Sequence, residues 1–159
     1  IFIFPITLAV HPILMNEWNK NKNIHEFFVK LFRASMIQIL ICLIMLIPVY
    51  FFKEDFFYFI QIMIPGIDSS TKEIIIPIFI GGFLWQLALV LHKPLEIEER
   101  TLIMVVCIMF SLVANLIGNI FFLPKFGILA TAYTMIFSAS IYILSSIIFS
   151  KSFRNFIRK

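Results

Sequence analysis

The sequence predicts an all-α protein that crosses a membrane several times, and three observations predict it. Of the 159 residues, 61% are hydrophobic and only 14% are charged, with a mean hydropathy of +1.00. A soluble domain is about 45–50% apolar and about 25% charged, because a small chain must cover itself with polar surface. The apolar residues also fall in runs close to the roughly 20 residues that a helix needs to cross a bilayer. Finally, no complete run carries Asp, Glu, Lys or Arg at its centre, where a charge would be most costly.

Residues 1–10 are apolar but too short to span alone. No basic segment precedes them and no small-residue cleavage site follows, so they do not read as a signal peptide. They read as the end of a helix cut by the chain boundary, and the sequence as a C-terminal portion of a larger protein. Pro12 and the Asn/Lys-rich residues 16–23 predict a loop. Residues 24–31 place Phe27, Phe28 and Leu31 at helical spacing, with Glu26 and Lys30 at i, i+4. They are either an amphipathic helix lying in the interface or the first turns of the next span.

The first complete span is 34–52, with Pro48 kinking or terminating it near its end. Residues 56–64 are apolar but too few to cross, and their run of Phe56, Phe57, Tyr58 and Phe59 suits a short interfacial helix. Pro65-Gly66 turns the chain, and 68–73 is an exposed loop. The second span is 74–91, with Pro77 in its first turn. Residues 92–100 form a charged, solvated loop. The third and fourth spans, 102–123 and 128–149, are joined by a tight turn, Pro124-Lys125-Phe126-Gly127.

The basic residues are unevenly placed. Lys20, Lys22, Lys30, Arg33, Lys93, Arg100, Lys151, Arg154, Arg158 and Lys159 fall on one side of this topology, ten of the 13 Lys and Arg. Lys53, Lys72 and Lys125 fall on the other. An excess of Lys and Arg in short loops marks the cytoplasmic side, so the C-terminus is expected inside. The four basic residues of the tail suit anionic lipid headgroups; nucleic acid is a poor partner for a chain with no soluble fold around them. Cys42 and Cys107 lie in apolar runs as small hydrophobes, with no ligand or redox spacing.

No catalytic constellation is visible, so no enzyme activity, cofactor or metal is expected. There is no Gly-rich phosphate loop and no nucleophile motif. His11, His25 and His92 read as membrane-edge residues, and Glu96, Glu98 and Glu99 as part of a solvated loop. The polar residues inside the spans are more informative. Ser111, Asn115 and Asn119 step by four and share one helix face; Thr131, Thr134, Ser138, Tyr142 and Ser145 form a second stripe. Such residues either hydrogen-bond across packed helices or line a hydrated cavity. Ala130, Thr134 and Ser138 fit the small-xxx-small pattern of helix packing. For Asn115, Asn119 and Gln86, whose amides can also bond to sugar hydroxyls, both readings stay open.

The stretch from Asn115 through Asn119, Pro124 and Gly127 to Ala132 resembles the pattern N-x-x-x-N-x-x-x-[IL]-P-x-[YF]-G-[IV]-x-G-A-A. That pattern recurs near the C-terminus of the polysaccharide exporters of the multidrug/oligosaccharidyl-lipid/polysaccharide superfamily, which include the O-antigen and capsule-repeat flippases. Residues 91–101 are similar to the loop before that hairpin. Ala130 and Thr131 stand where Gly-Ala is usual in the family, and Thr134 where Ala is frequent. The resemblance implies a bacterial inner-membrane protein of about 12 to 14 helices in two six-helix lobes. It would move a polyprenyl-diphosphate-linked oligosaccharide between leaflets by alternating access, alongside polysaccharide-assembly proteins. This chain would supply the last four helices and the end of a fifth.

Overall fold

In hydrocarbon a backbone must satisfy its own hydrogen bonds, and a helix does so within one segment. The computed structural model describes residues 4–158, and these are helical almost throughout. The order is α1 (Phe4–Asn21), α2 (Ile24–Phe51), α3 (Lys53–Met63), a 3-10 turn (Ser69–Ile74), α4 (Ile75–Leu91), α5 (Lys93–Ile97), α6 (Thr101–Phe126), α7 (Ile128–Phe149) and α8 (Lys151–Ile157). Among the described residues, four stretches are long and apolar enough to cross a membrane: Ile24–Phe51, Thr71–Ile97, Thr101–Phe126 and Ile128–Phe149. The start of the first apolar run and Lys159 of the tail lie outside the described residues.

Several boundaries differ from expectation, each for a local reason. Helix α1 runs through Pro12 and takes in most of the expected 16–23 loop. Neighbouring helices allow membrane helices to carry proline, and the Asn/Lys run stays helical through side-chain bonds. Asn21 donates to Glu17 one turn earlier at 2.9 Å, and Lys30 of α2 pairs with Glu17. The break falls at Lys22, which has a φ of 51°. Asn23 then caps α2 by accepting from the His25 and Glu26 amides at 3.0 and 3.4 Å, and its own amide donates back to Glu26 at 3.2 Å. The spacing is that of a capping box, but the return bond to Glu26 comes from the Asn23 side-chain amide and not from its backbone N–H.

Residues 24–31 are therefore the first turns of α2 rather than a separate interfacial helix. Phe27, Phe28 and Leu31 are fully buried, packed with Leu14, Val90 and Phe153. Pro48 lies inside the last turn of α2, where its carbonyl accepts from the Phe52 amide at 2.8 Å. Helix α3 forms over most of 56–64 and begins earlier, at Lys53. The expected loop 68–73 folds into the 3-10 turn, tied to α3 by Lys53–Glu73 and Lys72–Glu54 pairs, both at 2.9 Å.

The polar segments collect at two ends. Phe28 of α2 meets Phe153 and Phe156 of α8 with ring centroids 5.4 and 4.7 Å apart, and Glu98 binds the start of α8. The start of α2, the 92–100 segment and the tail thus share one end, as the lysine and arginine pattern requires. Helix α3 and the 3-10 turn lie toward the start of α7 at the other.

Between those ends, α7 is the hub, packing on α6 and α4. It buries Ala130, Thr134, Ser138, Tyr142 and Ser146, every fourth residue. Helix α6 buries only Cys107, Ser111 and Gly118; apart from the half-buried Ile103 and Met104 near its start, it leaves its large apolar side chains exposed. Large side chains have no reason to avoid lipid, so contact between spans is built from small residues that let backbones approach. A Cβ on Gly118 would lie 2.6 Å from Thr134 Cγ2, which is why glycine stands there.

The turn between α6 and α7 is tighter than expected. Pro124 belongs to α6, which continues to Phe126, and Gly127 alone reverses the chain with φ 61° and ψ −157°. That region is essentially restricted to glycine. A Cβ would meet nothing within 4 Å there, so the constraint is conformational and not steric. Gly127→Ala should accordingly destabilise the hairpin by about 1–3 kcal/mol, and Gly127→Val should cost little more. Thermal unfolding of both variants in detergent checks this; a wild-type melting temperature for Gly127→Ala contradicts it.

Candidate functional site

The two polar stripes read from the sequence face each other across the α6–α7 contact. The Ser111 hydroxyl donates to the Ser138 carbonyl at 2.7 Å. The Asn115 amide donates to the Ser138 hydroxyl at 3.3 Å, and that hydroxyl donates to the Met135 carbonyl at 3.0 Å. Asn119 donates to both the carbonyl and the side-chain oxygen of Asn115, at 2.9 and 3.0 Å. Thr134 bonds within its own helix, to the Thr131 carbonyl at 2.9 Å. Ser138 and Thr134 thus both lie in the α6–α7 contact, Ser138 bonded across it and Thr134 against Gly118. Asn115 also bridges the two helices, with one of its two amide N–H groups on Ser138.

The three amides do not form one constellation. Gln86 lies on α4, which packs on α7 and α2. The Gln86 and Asn119 side-chain oxygens are both buried without a hydrogen-bond partner, and a buried unpaired acceptor costs about 1–3 kcal/mol. All three are half-buried, and Asn115 lines a groove. A groove of about 530 Å3 runs between α4, α6 and α7, lined by Trp85, Leu112, Asn115, Ile128, Thr131 and Met135 among others. Thr131, the exposed end of the α7 stripe, lies in it beside Asn115. A second groove of about 540 Å3, on the Gly118 and Thr134 side of the seam, is lined by Ala114, Phe122, Tyr133 and Phe137 and is almost wholly apolar.

The segment 92–100 corrects the expectation of a solvated loop. Residues 93–97 form α5, and His92, Lys93, Pro94 and Leu95 are buried. The Glu96 carboxylate gathers three basic groups. One oxygen lies 2.8 Å from His92 Nε2 and 2.5 Å from Lys93 Nζ, and the other 3.5 Å from His11 Nδ1. His92 Nδ1 lies 3.2 Å from the hydroxyl of Tyr142, which is 1% exposed. An acid–base cluster therefore does stand at one end of the bundle. Sequence reading missed it because its members come from distant parts of the chain, His11 near one end, His92, Lys93 and Glu96 in the middle and Tyr142 fifty residues beyond His92. The available signal was the i, i+3 and i, i+4 spacing of Lys93 and His92 from Glu96. Among the described residues, no three His, Cys, Asp or Glu are placed to hold a metal ion.

Glu98 does separate work. Its carboxylate accepts from the Ser150 hydroxyl at 2.6 Å and from the Ser152 and Lys151 amides at 2.7 and 3.2 Å. Ser150 in turn caps α8 by accepting from the Phe153 amide at 3.1 Å. A carboxylate at a helix N-terminus is well placed for the helix dipole. Arg100 reinforces the joint by donating to the Phe149 carbonyl at 2.6 Å.

The chain matches no protein-family profile, no curated protein and no solved structure.

Burial pushes the Glu98 carboxyl up, but the hydrogen bonds from Ser150, Ser152 and Lys151 outweigh it and hold the group below its usual value of 4.5. Its contribution is therefore complete above pH 4.5 and is lost as the pH falls through the lower, folded value. Amide exchange at Lys151 and Ser152 should accelerate in that acidic window, and Glu98→Gln should bring the faster exchange to neutral pH. Unchanged protection in Glu98→Gln contradicts the assignment.

Proposed function

We propose that the chain is the C-terminal part of a bacterial inner-membrane flippase that moves a polyprenyl-diphosphate-linked oligosaccharide, such as an O-antigen or capsule repeat unit, by alternating access. The observation that carries this reading is the groove between α4, α6 and α7, where Asn115 and Thr131 put an amide and a hydroxyl on an otherwise apolar wall. A glycan is too polar for hydrocarbon and needs hydrogen-bonding groups along its way, whereas its lipid tail can remain among lipids. The resemblance at residues 115–132 to the polysaccharide exporters points to the same solute class. Such a protein would act within a larger helical bundle and beside polysaccharide-assembly proteins, with the basic end of the bundle and its C-terminus in the cytoplasm, against anionic lipid.

One observation favours a different class. Asn115 commits one of its two amide N–H groups to Ser138 and its side-chain oxygen to Asn119, as it would in a non-transporting membrane assembly subunit held together by the same seam. A drug or metabolite antiporter of the same superfamily would share the groove but not the glycan.

Export per folded molecule separates these readings. Each hydrogen bond to a glycan hydroxyl is worth about 0.5–1.5 kcal/mol. Replacing Asn115 with Leu and Thr131 with Val together should therefore lower glycan export per folded molecule about tenfold, and Thr131→Val alone, which leaves the seam intact, should lower it severalfold. If the double variant loses only protein and its export per molecule is unchanged, the assembly-subunit reading holds. If export of a small solute falls while glycan export does not, the antiporter reading holds.

A further inference from the structure

We propose that the start of α2 and the end of α8 form a headgroup pocket for an anionic phospholipid, with Arg158 and His25 on its phosphate and Ile24 and Phe156 against its apolar part. The inference rests on the basic end of the bundle lying at a membrane surface, and not on which solute the protein moves.

A cavity of about 660 Å3 lies between these two helices, lined by Ile24, His25, Asn155, Phe156 and Arg158. Aromatic packing holds its two sides together. The Phe156 ring stacks on Phe28 with centroids 4.7 Å apart, and it also meets Phe32 at 5.8 Å and His25 at 5.9 Å. Phe28 itself is fully buried, so the short α8 is anchored to α2 and the polar residues around the cavity have fixed neighbours.

The polar lining is rich in donors. Arg158 offers five N–H groups and no acceptor, and Asn155 and His25 add an amide and a ring nitrogen. All three side chains belong to exposed residues. Among the described residues, no carboxylate pairs with Arg158 or His25. The acids nearby are committed elsewhere. Glu26 accepts from the Asn21 and Asn23 amides, both at 3.2 Å. Glu17 pairs with Lys30, and Glu98 binds the start of α8. The backbone amides of His25 and Glu26 are taken by the Asn23 side chain, so any ligand is met by side chains and not by the helix end. Uncommitted donors call for an anion, and the arginine fork matches the oxygens of a phosphate.

Depth and the apolar lining decide for lipid. Helix α2 has 28 residues, about 42 Å at the usual rise. That equals the roughly 40–45 Å of a bilayer with its headgroups. Ile24 and His25, its first residues, then stand at headgroup level, where phospholipid phosphates lie. A free phosphate would leave Ile24 and Phe156 unused. A phospholipid carries glycerol and acyl carbons next to its phosphate and would cover them.

Arg154 and Arg158 are one turn apart and carry the same charge, but of the two Arg158 lines the cavity. That separates a pocket from diffuse attraction by a basic tail. Native mass spectrometry of the purified protein, given equimolar phosphatidylglycerol and phosphatidylcholine at about 0.15 M salt, should show phosphatidylglycerol retained in preference. R158Q should lower that retention at least about tenfold, as for loss of a hydrogen bond to a charged group, and H25Q severalfold. R154Q should leave it within about twofold, because salt screens an exposed charge outside the pocket. These side chains are exposed, so the variants should fold and melt as wild type does. Equal losses in R154Q and R158Q would assign the binding to the tail as a whole and overturn the pocket. No preference for phosphatidylglycerol in wild type, or full retention in R158Q and H25Q, would overturn it too. Release of the lipid by an equal concentration of inorganic phosphate would make this a site for free phosphate and overturn the lipid assignment.

Discussion

Everything at the centre of this molecule depends on how closely α6 and α7 approach. In water such a pair would be driven together by burying large apolar side chains. In a membrane that force is absent, because lipid tails are as apolar as leucine. What remains is close packing and interhelical hydrogen bonding, and both converge on Ser138. Its carbonyl takes the Ser111 hydroxyl and its own hydroxyl takes the Asn115 amide, at 2.7 and 3.3 Å. One turn away, Gly118 makes room for the Thr134 methyl. Because α7 also carries α4 and precedes α8, a loosened seam would be felt at the groove and at the charged end alike.

The charged end shows the opposite economy. There, large side chains are buried against one another, Phe27, Phe28 and Leu31 with Phe153, and carboxylates tie the helix ends. Glu98 closes the α7–α8 joint by capping backbone amides, and Glu96 ties α5 to both α1 and, through His92, to α7. The cluster is only partly buried, with the Glu96 side chain 23% and the His11 side chain 48% exposed, so its charges are desolvated only in part. Its placement at a membrane edge, rather than the centre of a span, keeps it within reach of solvent through His11.

Much of this was legible in the sequence, and the failures share a cause. The spans, the short α3, the small-residue stripes and the glycine turn are local patterns, read from one stretch at a time. Proline misled twice. Pro12 and Pro124 suggested a loop and a turn, but both lie inside helices, since a membrane helix tolerates a missing N–H when neighbours compensate. The run from His92 to Arg100 misled through its charge. Lys93 and His92 are buried because their partners are a carboxylate one turn on and a tyrosine fifty residues on, and long-range partners leave no periodic signal. Asn115 and Asn119 were rightly placed on one face, but only the fold shows that Asn115 divides its role between the seam and the groove.

The central claim is that polar pairing, and not apolar burial, holds α6 to α7. A double-mutant cycle on Asn115→Ala and Ser138→Ala, measured by reversible unfolding in a bilayer mimetic, tests it most directly. The account predicts a favourable coupling of about 0.6 kcal/mol, the usual worth of an interhelical hydrogen bond in a membrane. Strictly additive effects of the two substitutions would contradict it.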